Sequence, residues 1–171
     1  AMEEARMLAQ TGQKVLLLCF NEFLLQHLRT QELDSLITVH NVRSLAEEIL
    51  QDDSLPIEQI NKFFEEYFAT VFDDTDWQYS NIVVDEGQDI SDAMLEHLSF
   101  LAELNDGSFY VFYDRNQFIL ERNTPEQPKY LDSKAECRLV LYRNCRNTAE
   151  IAATVGSLVD MRQEPYMNDV R

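Results

Sequence analysis

Ile82-Val83-Val84-Asp85-Glu86-Gly87-Gln88-Asp89 joins a short β-branched run to two adjacent carboxylates. An apolar run of this length, bounded by polar residues, predicts a buried strand with the carboxylates at its C-terminal end. In open α/β sheets that end lines the crevice where ligands bind. An Asp-Glu pair there suits Mg²⁺-dependent phosphoryl transfer: the first carboxylate holds the hydrated metal, the second orients or deprotonates the attacking water. The alternative is a strand that merely runs into an acidic turn.

Outward from this stretch, strands and helices alternate. Met2 to Gln10 reads as a helix stopped at Gly12. Lys14 to Phe20 is a continuous apolar run of the parallel-sheet kind. Asn21 caps a helix over Glu22–Arg29, and Leu36 to His40 is a second short strand. Val42, Leu45, Ala46, Ile49 and Leu50 recur at helical spacing. Ser54 and Pro56 open a further helix whose apolar face is Ile57, Ile60, Phe64, Tyr67, Phe68 and Val71, with Phe63 and Phe72 beside it. That aromatic stripe reads as core, with a partner-binding face as the alternative. Asp73, Asp74 and Asp76 form an acidic turn.

Beyond the central stretch, Ser91 caps a helix with Met94, Leu95, Leu98, Leu101 and Ala102 on one face. Asn105-Asp106-Gly107 is a turn, and Phe109 to Tyr113 is a strand ending at Asp114. Residues 121–134 read as a loop and Arg138 to Tyr142 as a strand. Asn147 with Glu150 forms a capping box for a last helix, and the tail from Gln163 is irregular. The alternation predicts an α/β domain with a mostly parallel sheet flanked by helices, one domain over residues 1–171.

Composition narrows the function. At 171 residues and 45% hydrophobic the chain can bury a core, and no apolar run approaches transmembrane length. Cys19, Cys137 and Cys145 lack metal spacing, as do His27, His40 and His97, so free thiols in a reducing cytoplasm are expected. A net charge of −17 opposes tight sequence-independent binding of nucleic acid and favours a basic partner. None of the four glycines belongs to a G-x-x-x-x-G-K-[ST] phosphate loop.

Taken in order, several stretches resemble the boxes of UvrD/Rep-like superfamily 1 helicases. Leu16-Leu17-Leu18-Cys19-Phe20-Asn21 resembles motif Ia, and Ile37-Thr38-Val39-His40 the short box after it. Asp85-Glu86-Gly87-Gln88-Asp89 resembles motif II, the Walker B box. Asp114-Arg115-Asn116-Gln117 resembles motif III, and Asn144-Cys145-Arg146-Asn147-Thr148 resembles motif IV. The likeness spans roughly residues 5 to 155 and implies part of a RecA-like domain 1A, incomplete at its N-terminus. It departs from the family in having no Walker A segment, in Tyr113 where motif III usually has glycine, and in Arg122 near the place of a DNA-stacking aromatic. The segment from His40 to Trp77 is also too short for the family's full 1B subdomain.

The resemblance implies roles. Asp85 would be the Mg²⁺ carboxylate and Glu86 the catalytic base. Gln117 would contact the γ-phosphate of ATP, and Arg146 would neutralise charge on it during transfer. Phe20 would stack on single-stranded DNA or RNA, with Asn21 and His40 along the same path. The parent protein would use ATP and Mg²⁺, while this chain alone, lacking a phosphate loop, would hold no ATP or Mg²⁺ of its own, bind ATP only very weakly and be inactive. The alternatives are a degenerate RecA-like protein-interaction module, and a metal-dependent nuclease built on Asp85, Glu86 and Asp89.

Two geometric expectations follow from the resemblance. Asp85, Glu86, Gln117 and Arg146 should converge at one edge of the sheet. The strands at 109–113 and 138–142 should pair directly across the place of the P-loop strand, unless a second chain fills it as a dimer through an exposed strand edge.

Overall fold

Val15-Leu16-Leu17-Leu18 forms β1 (Val15–Leu18), buried along its whole length because both faces of the sheet are covered. The computed structural model describes residues 1–52, 56–70 and 77–113, with Cys137 and Leu139 alone beyond them. Around β1 stand α1 (Met2–Ala9), α2 (Glu22–Arg29), β2 (Ile37–His40), α3 (Val42–Leu50), α4 (Ile57–Thr70), β3 (Asn81–Val84), α5 (Asp92–Leu104) and β4 (Phe109–Val111). They lie in the first of two compact units, residues 1–134 and 135–171, into which the chain divides.

The sheet is four-stranded among the described residues, ordered β2-β1-β3-β4, and every pairing is parallel. Leu18 stands level with His40 on one side and with Val84 on the other, and Val84 with Val111. The chain is therefore α/β with a parallel sheet between helices. No helix among the described residues is long and apolar enough to cross a membrane.

The two faces follow from the period of two along each strand. Leu16, Leu18, Ile82 and Val84 pack with Leu45, Ile60, Phe64, Phe68, Leu95 and Leu98, so α3, α4 and α5 share one face. Val15, Leu17, Val39 and Val83 pack with Ala5, Ala9, Leu25 and Leu28, so α1 and α2 cover the other. The α5 face is buried at Met94, Leu95, Leu98, Leu101 and Ala102, as its spacing predicts. On α4, Ile60, Phe64 and Phe68 are buried and Phe63 and Tyr67 partly so, which makes the described part of the aromatic stripe core; Val71 and Phe72 lie outside the described residues.

The helix ends are set by short polar side chains. Asn21 Oδ1 accepts from the backbone N–H of Phe23 at 2.8 Å, and Ser91 Oγ from that of Met94 at 3.3 Å. Asn41 and Ser44 form a reciprocal capping box at α3, which the sequence reading missed. The buried amide of Asn81 ties the opposite edge of the sheet together, accepting from Ser108 N–H and donating to Gln13 Oε1, each at 2.9 Å. Residues 138–142, the helix expected after Asn147, the acidic turn at 73–76 and the tail from Gln163 lie outside the described residues.

Candidate functional site

At the C-terminal edge of the sheet the backbone brings three segments side by side. Asp85 N–H donates to Leu18 O at 2.8 Å, Phe112 N–H to Val84 O at 2.8 Å, and Gly87 N–H to Phe112 O at 2.9 Å. The residues after β1, β3 and β4 thus share one rim. From β1 the chain passes through α2 to β2 on one side, whereas from β3 it passes through α5 to β4 on the other. The crevice between β1 and β3 is therefore the topological switch point, and Asp85-Glu86 and Cys19-Phe20-Asn21 flank it.

Asp85 is half-buried at the end of β3. Its charge reaches two neighbours. The Cys19 thiol is pushed up to about 11, chiefly by burial and then by the charges of Asp85 and Glu22. The Ala1 ammonium is lowered by burial, against the opposing pull of Asp85, Glu4 and Glu3. The N-terminal end of α1, where backbone N–H groups lack helical partners, thus lies in the field of Asp85.

Glu86 adopts a left-handed backbone, φ 54° and ψ 46°, and opens the short 3₁₀ turn Gly87–Asp89. Its Oε2 accepts from Nε2 of Gln88 at 2.6 Å. Gln88 is only 3% exposed, so the amide is a fixed support rather than a surface group. Gly87 is pressed against β4: a side-chain carbon there would collide with Val111 Cγ1. The turn that aims Glu86 is thus wedged by its neighbour strand. Among the described residues no group of three His, Cys, Asp or Glu could hold a metal.

On the β1 side, Phe20 is half-exposed and Asn21 is exposed, but the Asn21 side-chain oxygen Oδ1 is engaged in capping α2. Phe23, in the first turn of α2, is 83% exposed and was not singled out from the sequence. Its signal was present: Leu25 and Leu28 define the buried face of α2, and Phe23 lies off it.

His40 sits at the end of β2 and is 4% exposed. Nδ1 stands 3.1 Å from Ser44 Oγ. Nε2 is 2.9 Å from Glu48 Oε2, an ion-pair separation without hydrogen-bond geometry. Burial lowers the His40 pKa below its ordinary value against the attraction of Glu48. Glu48 also accepts a 2.6 Å bond from the buried Tyr79 hydroxyl, whose ionisation burial and Glu48 both suppress. His40 is thus part of a buried polar cluster, and its ring presents no face at the rim.

Asp85, Glu86, Phe20 and Asn21 are brought to one rim. Asp114, Gln117 and Arg146 lie outside the described residues. Comparison of the chain with family models, curated proteins and solved structures gives no significant match.

Proposed function

We propose that this chain is the Walker B part of a RecA-like domain from a UvrD/Rep-like superfamily 1 helicase. One observation carries the reading: Asp85-Glu86 and Cys19-Phe20 flank the switch point between β1 and β3, and the charge of Asp85 reaches the N-terminal end of α1. That is where an open parallel sheet binds its ligand. A helix N-terminus beside a carboxylate suits a phosphate and its metal together.

The residues present fit Mg²⁺ with a nucleotide. Mg²⁺ in such sites keeps waters and takes one or two carboxylates plus phosphate oxygens, so a single Asp85 suffices without the cage of several ligands that is absent among the described residues. Bound there, Mg²⁺·ATP supplies the phosphoryl group to be transferred. Glu86, aligned by Gln88, accepts the proton of the attacking water. Phe20 offers a ring for stacking a nucleic-acid base. Gln117 and Arg146 would complete the γ-phosphate contacts, and the rest of a helicase chain would supply the phosphate loop. Buried Cys19 and exposed Cys137 are both free thiols, in keeping with a reducing cytoplasm.

A second reading is a RecA-like remnant that binds a protein and catalyses nothing. It rests on the −17 charge and on the lack of a G-x-x-x-x-G-K-[ST] loop in these 171 residues. Paramagnetic broadening separates the two. Millimolar Mn²⁺·ATP should broaden the NMR signals of Cys19, Asp85 and Glu86 before all others, and Asp85→Asn should abolish the effect. Broadening confined to other carboxylates, or broadening unchanged by Asp85→Asn, would sink the helicase reading.

A further inference from the structure

β2 is an edge strand of the sheet among the described residues. Val15 N–H donates to Leu36 O and Cys19 N–H to His40 O, so the even-numbered carbonyls of this segment turn towards β1. Ile37 and Val39 therefore turn their backbone groups outward. Two of those four groups are already occupied. Asp34 O accepts from Ile37 N–H at 2.9 Å, and Val39 O accepts from Arg29 Nη2 at 3.2 Å. The Ile37 carbonyl and the Val39 N–H have no partner among the described residues.

An open groove of about 460 Å³ runs along this edge. Its floor includes Thr38 and Val39, and its sides carry Arg29 and Gln31 from the α2 end and Glu48 from α3, with Asp34 at one end. Because α2 covers one face of the sheet and α3 the other, the groove is the gap between two helix layers. That gap is where one more strand would lie. Four residues of strand span about 13 Å.

We propose that the outer edge of β2 takes an extended basic segment of a partner protein as a fifth strand, with Arg29 as a displaceable plug. The inference goes beyond the helicase reading and does not depend on it. Val39 N–H and Ile37 C=O supply a ladder donor and acceptor two residues apart, and Val39 O becomes a second acceptor once Arg29 swings out. Arg29 is exposed and makes one long bond, so its release costs little. It also keeps the edge from pairing indiscriminately. Glu48 and Asp34 line the groove, and although Glu48 accepts from the Tyr79 hydroxyl and Asp34 from Leu36 N–H, their carboxylates favour Lys or Arg on the incoming strand. A second copy is disfavoured as occupant, because two chains of charge −17 repel.

The test titrates the 171-residue chain with a blocked hexapeptide of alternating Lys and Val at near-physiological salt, followed by amide NMR. Saturable shifts at Thr38, Val39 and His40 are expected, with slower hydrogen exchange at Val39. An alternating Glu-Val peptide and a backbone N-methylated Lys-Val peptide should bind at least about threefold more weakly. Arg29→Ala should bind the Lys-Val peptide about threefold more tightly and Glu48→Gln about threefold more weakly. Equal binding of the acidic peptide, shifts centred elsewhere, no binding, or unchanged affinity in Arg29→Ala would each overturn the proposal. Dimerisation of Arg29→Ala in analytical ultracentrifugation without peptide would instead assign the edge to a second copy.

Discussion

At Glu86 the backbone is left-handed, a conformation that costs a residue with a side chain about 1–2 kcal/mol. Glycine escapes that cost. Glu86→Gly should therefore be more stable than Glu86→Ala by about 1 kcal/mol, the reverse of the usual ranking. Both variants lose the partner of Gln88, so chemical denaturation compares them on equal terms; equal midpoints would show that the turn carries no strain. His40 gives a second expectation. Burial holds its pKa in the fold below the ordinary value, so near pH ~6.5 the unfolded ring takes up a proton that the folded ring does not. Its contribution to stability stands above that pH and is lost as pH falls through ~6.5 towards the lowered folded value. Stability measured from pH 8 to pH 5 should drop more steeply for the natural chain than for His40→Asn. Parallel curves would remove His40 as the source.

Among the elements, α4 separates core from surface within one aromatic stripe. Phe68 is 1% exposed and stacks on Phe64 and on His97, whereas Phe63 is only partly buried. Phe68→Ala should cost about 3–5 kcal/mol through lost transfer energy and the cavity left behind. Phe63→Ala should cost markedly less, as read by urea denaturation. The spacing of the stripe was legible in the sequence, but Phe63, Phe64, Tyr67 and Phe68 all fall within it. Which of them face α5 is set by the roll of α4 against its neighbours. The turn before β4 offers a sterner case. A side-chain carbon on Gly107 would meet the Ser80 carbonyl, a backbone group that cannot rotate away. Gly107→Ala should therefore displace β4 from β3 and lower the melting temperature by several degrees, a loss of about 1–3 kcal/mol.

For the whole molecule, charge is the governing quantity. At −17 the chain opposes the phosphate backbone of nucleic acid, and Asp85 and Glu22 add carboxylates whose charge reaches Cys19, next to Phe20. Single-strand affinity of this chain should be weak and should fall steeply with salt. Phe20→Ala should reduce what remains by removing a stacking face worth about 1–3 kcal/mol. Fluorescence anisotropy with a labelled oligonucleotide at low and physiological salt measures both effects. Tight binding at physiological salt would contradict the charge argument. With no G-x-x-x-x-G-K-[ST] loop in these 171 residues to hold the β- and γ-phosphates, this chain should also show no ATP turnover that depends on Glu86. Turnover abolished by Glu86→Gln would contradict that expectation.

The alternation of apolar runs and helical faces was determined by sequence alone, because each segment's periodicity records which of its own residues must leave water. So were the Asn21 and Ser91 caps, whose side chains act within three residues. The carboxylates were legible as a pair at a strand end. Tertiary structure decided which strands are neighbours, placing β3 between β1 and β4 and so making Asp85 and Phe20 sides of one crevice. That order turns on the pairing of β1 with β3, as of Val15 with Asn81, segments far apart in sequence, which no local pattern reports. It also decided the fate of His40, which Glu48 and Tyr79 draw into a buried cluster although the family resemblance implied a place along the nucleic-acid path. A polar side chain is buried only where distant groups satisfy it, and those groups are chosen by the fold.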